Sequence, residues 1–314
     1  MIVSSAIAAF VPMFIYLLLI WRFDHYDREP FILIIRNYLW GALGAIFFAL
    51  VGSYVLSFFV SLFVHNPESL TRIETIIIAP FVEEATKGIF LLMTISSRKF
   101  DNMTDGIVYG GAIGLGFGMT ENFLYFTANT GSFNTWVTLV IIRTLFTSVM
   151  HCVSTATLGA FLGYAKFKNI YYKLTFPFLG LASAIFIHFA WNLMISYDKT
   201  EPLGFLFMLI TILIFIVVFS ISVSNDKRII YNELLEEAEN GIIPMSHIPI
   251  LNSSERNKLG WIDEEIRKVY IKAASTLAFR KMQLRNTNGN NRTFYENDVL
   301  RYRNYIQILL AGTK

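Results

Sequence analysis

The sequence predicts an all-α membrane protein, a polytopic bundle of about seven transmembrane helices followed by a small helical cytoplasmic C-terminal segment. Three observations carry that reading. The 314-residue chain is 54% hydrophobic and only 16% charged, with a mean hydropathy of +0.51, a balance few soluble domains reach. Apolar runs of about 18 residues or more, long enough to cross a bilayer as a helix, recur along it. Lys and Arg alternate between the connections in the manner of a topology signal. The net charge of +3 is too small to argue for nucleic acid, and the single Cys152 excludes an intrachain disulfide framework.

The apolar segments run at about 2–21, 37–63, 75–96, 105–127, 136–163, 175–197 and 203–223. The first lacks a basic leader and runs into WRFDHYDREP without a small-residue cleavage site, so it reads as a retained helix rather than a signal peptide. The first, second and last segments carry no charge between their ends. Odd-numbered connections hold eight Lys and Arg, among them Arg22, Arg98, Lys99 and Lys166, whereas even-numbered ones hold two, Arg72 and Lys199. By the positive-inside rule the odd connections and the C-terminus are cytoplasmic and the N-terminus is outside. Residues 1–223 form the expected transmembrane core, with the chemistry concentrated in 75–197.

The character changes after Asn225. Residues 224–314 contain 14 of the 26 basic and 11 of the 23 acidic side chains. NDKRIIYNELLEEAEN has the composition of a polar helix ended by Gly241, and GIIPMSHIPIL that of a linker in which His247 is a solvated loop residue. IDEEIRKVYIKAASTLAFRKMQL opens with acids and closes with bases, which suits the helix dipole. NTNGNN reads as a loop before a final amphipathic helix. The near balance of charge favours a small folded domain over a segment lying on anionic lipid.

The question the core poses is why FVEEATKGIF places Glu83, Glu84 and Lys87 among apolar residues. Each ionised group near a span centre costs about 2.5–3.5 kcal/mol on insertion scales. Glu83 and Lys87 are four apart and share a helix face, while Glu84 points about 100° away and needs another partner. A buried ion pair that only fixes packing is the bland reading of such a trio, but more polar groups follow. In DGIVYGGAIGLGFGMTENFLYF, Gly106, Gly110, Gly114 and Gly118 make a ridge bare of side chains, which lets helices approach closely. The ridge ends at Glu121 and Asn122. Arg143 and His151 lie on the next segment, and HFAWN places His188 and Asn192 on one face of the sixth. At about 1.5 Å per residue, Glu83, Glu121, Arg143, His188 and Asn192 fall in the outer half of the membrane, with His151 nearer its middle. Pro80 kinks or restarts its helix just before the glutamates.

A carboxylate in low dielectric binds protons more avidly and can take one from water, and histidines and an amide can orient that water or stabilise an oxyanion. Glu83 with His151 and His188 is also a common zinc set. Both schemes are water-activating hydrolysis, and the cofactor is either none or zinc. Cys152 directly follows His151 and points elsewhere, and Ser148 and Ser154 are better explained as packing residues or local hydrogen-bonders.

EEATK, the glycine-rich helix closing in Glu-Asn, His151 after an intramembrane Arg, and HFAWN together resemble the PrsW family of intramembrane proteases, relatives of the CAAX prenyl proteases and of the polytopic scaffold subunit of gamma-secretase. The resemblance covers about 75–197. The CAAX relatives carry EExxxR and FxxxH; this chain has EExxK, and Phe146 stands five residues before His151, while His188 to Asn192 matches HxxxN. The resemblance implies site-1 cleavage of a single-pass membrane protein, such as an anti-sigma factor, on its extracytoplasmic side in a bacterial cell membrane. It implies Glu83 as general base, Glu84 assisting or anchoring, and His151 and His188 orienting water or holding the oxyanion with Asn192 in support. Lys87, Glu121, Asn122 and Arg143 then support these groups. A proton- or ion-coupled transporter also gathers such groups in a bundle, although paired halves are absent here. A non-catalytic scaffold is the other alternative.

Overall fold

A computed structural model describes residues 2–97, 100–129, 131–287 and 290–312. Arg98 and Lys99, counted in the third connection, and residues 288–289 of the NTNGNN loop lie outside the described residues. The described residues contain helices and no strand. The helices are α1 (Ile2–Phe23), α2 (Phe31–Ser61), α3 (67–95), α4 (Met103–Ala128), α5 (Phe133–Ala165), α6 (Ile170–Ile195), α7 (Glu201–Glu239), the short α8 (His247–Leu251), α9 (Glu264–Arg285) and α10 (Asn290–Ala311). Among the described residues, α1, α2, α5, α6 and α7 are long and apolar enough to cross a membrane. The other two expected spans fall short for a reason of composition. The Ala79–Ile95 part of α3 carries Glu83, Glu84 and Lys87, and α4 is diluted by glycine and by Glu121 and Asn122.

Helix starts come earlier than hydropathy marks them. Ser132 accepts from Thr135 N at 3.3 Å to cap α5, and Asn169 accepts from Tyr172 N at 3.3 Å to cap α6. Both helices begin with polar or interfacial residues that apolar averaging discards. At α4, Asn102 and Asp105 form a reciprocal capping box. Three of the long helices contain a π turn, at Trp40–Ala45, Glu74–Ile78 and Arg143–Thr147.

The chain divides into two compact units at Phe219/Ser220, with His25–Arg28 belonging to the second. In the first unit α4 is the central element, packed against α1, α2 and α5, and α6 packs on α5 and α3. The glycine ridge is the seam with α5. A Cβ on Gly106 would stand 2.0 Å from the Gly159 carbonyl oxygen, on Gly110 2.4 Å from that of Thr155, and on Gly114 2.1 Å from that of His151. On Gly118 it would meet Ser148 Cα at 3.2 Å. Two antiparallel backbones thus touch over four successive turns, and the His151 main chain is held directly on α4. The faces turned away are apolar: Phe47, Leu50 and Phe58 of α2 and Leu206, Leu213 and Val217 of α7 are all exposed, as lipid-facing residues are.

The second unit has its own core of Leu234, Ile243, Ile248, Leu251, Tyr270, Leu277, Phe279, Val299 and Ile306. His247 is not a solvated loop residue. It opens α8, half-buried, with Nδ1 3.0 Å from the Tyr270 hydroxyl and its ring edge-on to Trp261. The flanking Ile243, Ile248 and Leu251 draw the linker onto the core, and burial pushes the His247 imidazolium below the usual histidine range. Glu237 has no exposed surface and receives Lys281 Nζ at 2.7 Å and the Arg303 Nε and NH2 at 2.7 Å each.

Two variants test this packing. Gly114→Val places methyl groups where the α5 backbone runs, and overpacking of that kind costs about 1–3 kcal/mol. Its melting temperature in detergent is expected to fall clearly below that of Gly111→Ala, whose Cβ would meet only side-chain tips, Cys152 Sγ and Ile20 Cδ1, at 3.3 Å. Equal melting of the two would refute the seam. Glu237→Ala removes one carboxylate from the buried Lys281, which keeps Glu236 at 2.8 Å, and removes both bonds to Arg303. The loss is expected to stay below the roughly 3–5 kcal/mol of a fully broken buried pair, and limited proteolysis of the intact chain should then release the tail several-fold faster.

Candidate active site

The polar groups singled out in the sequence converge from α3, α4, α5 and α6 on one cluster. Its anchor is the α3 pair. Lys87 Nζ, with no exposed surface, lies 2.8 Å from Glu84 Oε1 and 3.6 Å from Glu83 Oε2. The dominant partner is therefore Glu84, three residues away, rather than Glu83, four away. Tertiary contacts decide this: the ammonium also donates to His151 Nδ1 at 3.0 Å and sits 3.9 Å above the Phe117 ring. Glu84, equally buried, accepts from Lys87, from Thr155 Oγ1 at 3.1 Å and from His188 Nδ1 at 3.0 Å. Three donors on three helices thus answer one carboxylate, which is what removing it from water requires.

These partners set the histidine tautomers. His188 donates through Nδ1 to Glu84, so its Nε2 presents a lone pair, 3.9 Å from Glu83 Oε2. His151 accepts from Lys87 at Nδ1 and donates through Nε2 to Glu121 Oε2 at 2.7 Å. The two rings stand edge to face, 4.8 Å apart. Arg143 NH2 lies 2.8 Å from Glu121 Oε2, an ion pair off the hydrogen-bonding direction, and its Nε donates to Asn122 Oδ1 at 3.0 Å. Asn122 in turn donates to Ser148 Oγ at 2.8 Å. Arg143 sits in the π turn of α5, an insertion that resets which way its side chain faces relative to the following turns.

Glu83 differs from its neighbour. Its Oε2 is buried yet has no hydrogen-bond partner among the described residues. It lines an open cleft of about 460 Å³ together with Glu121, Arg143, His151, His188 and Asn192. Glu84 and Lys87 do not line that cleft, and they hold the groups that do. Asn192 is at the rim rather than among the histidines: its Nδ2 donates to the Thr75 carbonyl at 2.9 Å. That carbonyl is free because of Pro80. The Ala79 N–H closes a π bond to the Glu74 carbonyl, the next such bond would run from residue 80 to Thr75, and proline has no N–H. Asn192 supplies the missing donor and ties α6 to the kink.

The cluster also suits a metal. One ligand atom each from Glu83, His151 and His188 lies within 4.8 Å of the others. The Glu83 Oε2 and the His188 Nε2 have lone pairs without a hydrogen bond, and Glu84 backs His188 in the way second-sphere carboxylates orient metal-binding histidines. His151 would exchange its Lys87 contact to join them.

Sequence reasoning missed Thr155 as a partner of Glu84. It also missed Ser53, Tyr54 and Ser57 of α2, which line the cleft. Their signal was three hydroxyls within five residues of a largely apolar span.

Comparison with known proteins agrees with the geometry. Residues 29–221 match the sequence model of a family described as PrsW family intramembrane metalloprotease. The chain is 26% identical over 204 residues to Protease PrsW of Bacillus subtilis (strain 168), covering 62% of this chain and 83% of that protein. It is 28% identical over 193 residues to Protease PrsW of Clostridioides difficile (strain 630), covering 60% and 79%. With Protease PrsW of Geobacillus kaustophilus (strain HTA426) it shares 31% identity over 153 residues, covering 48% and 62%. No solved structure matches the chain. The family match covers the helices that carry the cluster and ends ahead of most of the second unit, and on that evidence this chain belongs to the PrsW family of intramembrane proteases and is an integral-membrane endopeptidase.

Proposed function

We propose that the cleft at Glu83 hydrolyses a peptide bond of a single-pass membrane protein, such as an anti-sigma factor, near the extracytoplasmic face. The observation that carries this reading is the buried, unbonded Glu83 Oε2 facing a cleft that two oriented histidines share. Glu83 is the group that meets the attacking water and takes its proton. His188 directs Nε2 at the same space because Glu84 holds its other nitrogen. His151 is fixed in orientation from both sides, by Lys87 and by Glu121, and Arg143 keeps Glu121 in place. Asn192 secures the rim through Thr75. In the metal-dependent form of this proposal, Glu83, His151 and His188 would instead hold a divalent metal such as zinc, with Glu83 a ligand rather than the base. When bound, that metal supplies a more acidic water and a positive charge beside the developing oxyanion.

The remaining lines of the reading follow from topology. In this proposal α3 and α4 also cross the membrane, their charges neutralised inside the bundle, which completes seven spans with the N-terminus outside and the tail cytoplasmic. Glu74, Thr75, Leu124, Tyr125 and Ile195 line the cleft near the first turns of α3 and the last turns of α4 and α6. The positive-inside count assigns those ends to the outer face. Residues 1–223 then act as the protease core and 224–314 as a folded cytoplasmic domain.

Glu83→Gln is expected to abolish cleavage of a single-span substrate by reconstituted protein, by at least about 100-fold for removal of a proton acceptor, while insertion and melting stay as in wild type. A transporter would give pH-dependent flux and no cut product, and a scaffold would tolerate the change; either result would refute the proposal. Exhaustive chelation is expected to stop cleavage and zinc to restore it, with one bound ion lost in Glu83→Gln. Activity indifferent to chelation, with no stoichiometric metal, would leave Glu83 as a metal-free base.

A further inference from the structure

Cutting a peptide bond within a membrane requires the substrate to leave its helix around that bond, because helical carbonyls are already bonded to the next turn. The freed N–H and C=O groups are costly in hydrocarbon unless the enzyme receives them. The wall of the cleft formed by α2 has the groups to do so. Ser53, Tyr54 and Ser57 line the same cleft as Glu83, His151 and His188. Gly52 brings them there: a Cβ at that position would stand 2.7 Å from Val82 Cγ1, so α2 touches α3 one residue before Glu83.

Several helical hydroxyls of this fold bond back to their own backbone, as Ser61 does to the Phe58 carbonyl at 2.7 Å, Thr127 to Phe123 at 2.8 Å, Thr157 to Val153 at 2.7 Å and Thr211 to Phe207 at 2.8 Å. Others, such as the buried Thr144, do not. Ser53 and Ser57 are half-buried and make no hydrogen bond among the described residues. They stand four apart on one helix face, a rise of about 6 Å. Alternate residues of an extended chain, whose carbonyls point to the same side, repeat at about 6.6–6.8 Å. The two periods nearly coincide.

We propose that Ser53 and Ser57 form a two-rung hydroxyl ladder that receives the unwound backbone of the substrate segment, holds it extended beside Glu83 and sets which bond is cut. Each hydroxyl donates to a substrate carbonyl and accepts from a substrate N–H. The proposal rests on the proteolytic reading of this cleft. It accounts for two hydroxyls on the cleft-lining side of a largely apolar stretch of α2.

The test is the double variant Ser53→Ala/Ser57→Ala in the intact, reconstituted chain, with a single-span substrate whose products are mapped by mass spectrometry. Loss of two hydrogen bonds of ordinary strength should raise KM by about 10- to 30-fold with kcat changed by no more than about twofold. The cut should spread from one bond to its neighbours, and Ser53→Thr/Ser57→Thr, which keeps both hydroxyls, should restore the single bond. An unchanged KM, or a fall in kcat alone at an unshifted bond, as hydroxyls that merely conduct water would give, overturns the ladder. Binding of a fluorescent single-span peptide to Glu83→Gln supplies a readout without turnover, and adding the double alanine there should weaken it by the same factor. Cleavage that persists in Glu83→Gln would count against the proteolytic reading, while that binding comparison still decides the ladder.

Discussion

The cluster depends on a lysine and a glutamate that have no access to water. Lys87 and Glu84 lie on one turn of α3 with no exposed surface, and neither charge is tolerable there alone. Their attraction is not enough by itself, since a carboxylate has more lone pairs than one ammonium answers. Thr155 and His188 answer the rest for Glu84, and His151 with the Phe117 face completes the surroundings of Lys87. The requirement to satisfy two buried charges therefore recruits Thr155 and His151 from α5, His188 from α6 and Phe117 from α4, and the two histidines are the ones whose positions matter beside Glu83. Adjacent glutamates in sequence end in opposite situations: Glu84 saturated with donors, Glu83 with an oxygen free in the cleft.

Close backbone contact gives this network its rigidity. Four glycines of α4 press against the α5 main chain, one of them on the carbonyl of His151 itself. A histidine whose backbone is wedged and whose ring is bonded at both nitrogens has little freedom left. Preorganisation of that kind is what an oxyanion- or water-binding group needs, because nothing then has to be reordered during reaction. The π turns work with the seam rather than against it. At Arg143 the extra residue turns the guanidinium toward Glu121 and Asn122, and before Pro80 the disturbed ladder leaves a carbonyl that Asn192 takes up. Irregular helix is thus used where it is covered by protein side chains, the one condition under which hydrocarbon permits it.

The second unit follows different physics. Its helices are polar outside and close on an apolar core, and its buried charges, such as Glu237 with Lys281 and Arg303, are likewise compensated by several donors. Apart from Ser220 and Ile221, it lies outside the family match.

Much of this was legible in the residues alone. Length and hydropathy determined an all-helical membrane bundle, because only long apolar helices satisfy their own backbone in lipid. Spacing determined the glycine face, since a period of four is a surface on a helix whatever it packs against, and the chemical types of Glu83, Glu84, His151 and His188 pointed to water activation or metal binding, with a transporter and a scaffold left as alternatives. Tertiary structure decided which partner each group takes. Lys87 could reach either glutamate by helix geometry, and only His151 and Phe117, 64 and 30 residues further on, direct it to Glu84. His247 shows the same limit: its place in a proline-containing linker suggests solvent, whereas the apolar residues flanking it bury it against Tyr270 and Trp261. Composition and periodicity are properties of a segment, so the chain states them locally. Which oxygen of two adjacent carboxylates stays free depends on donors carried by other helices, and the packing of those helices supplies that answer.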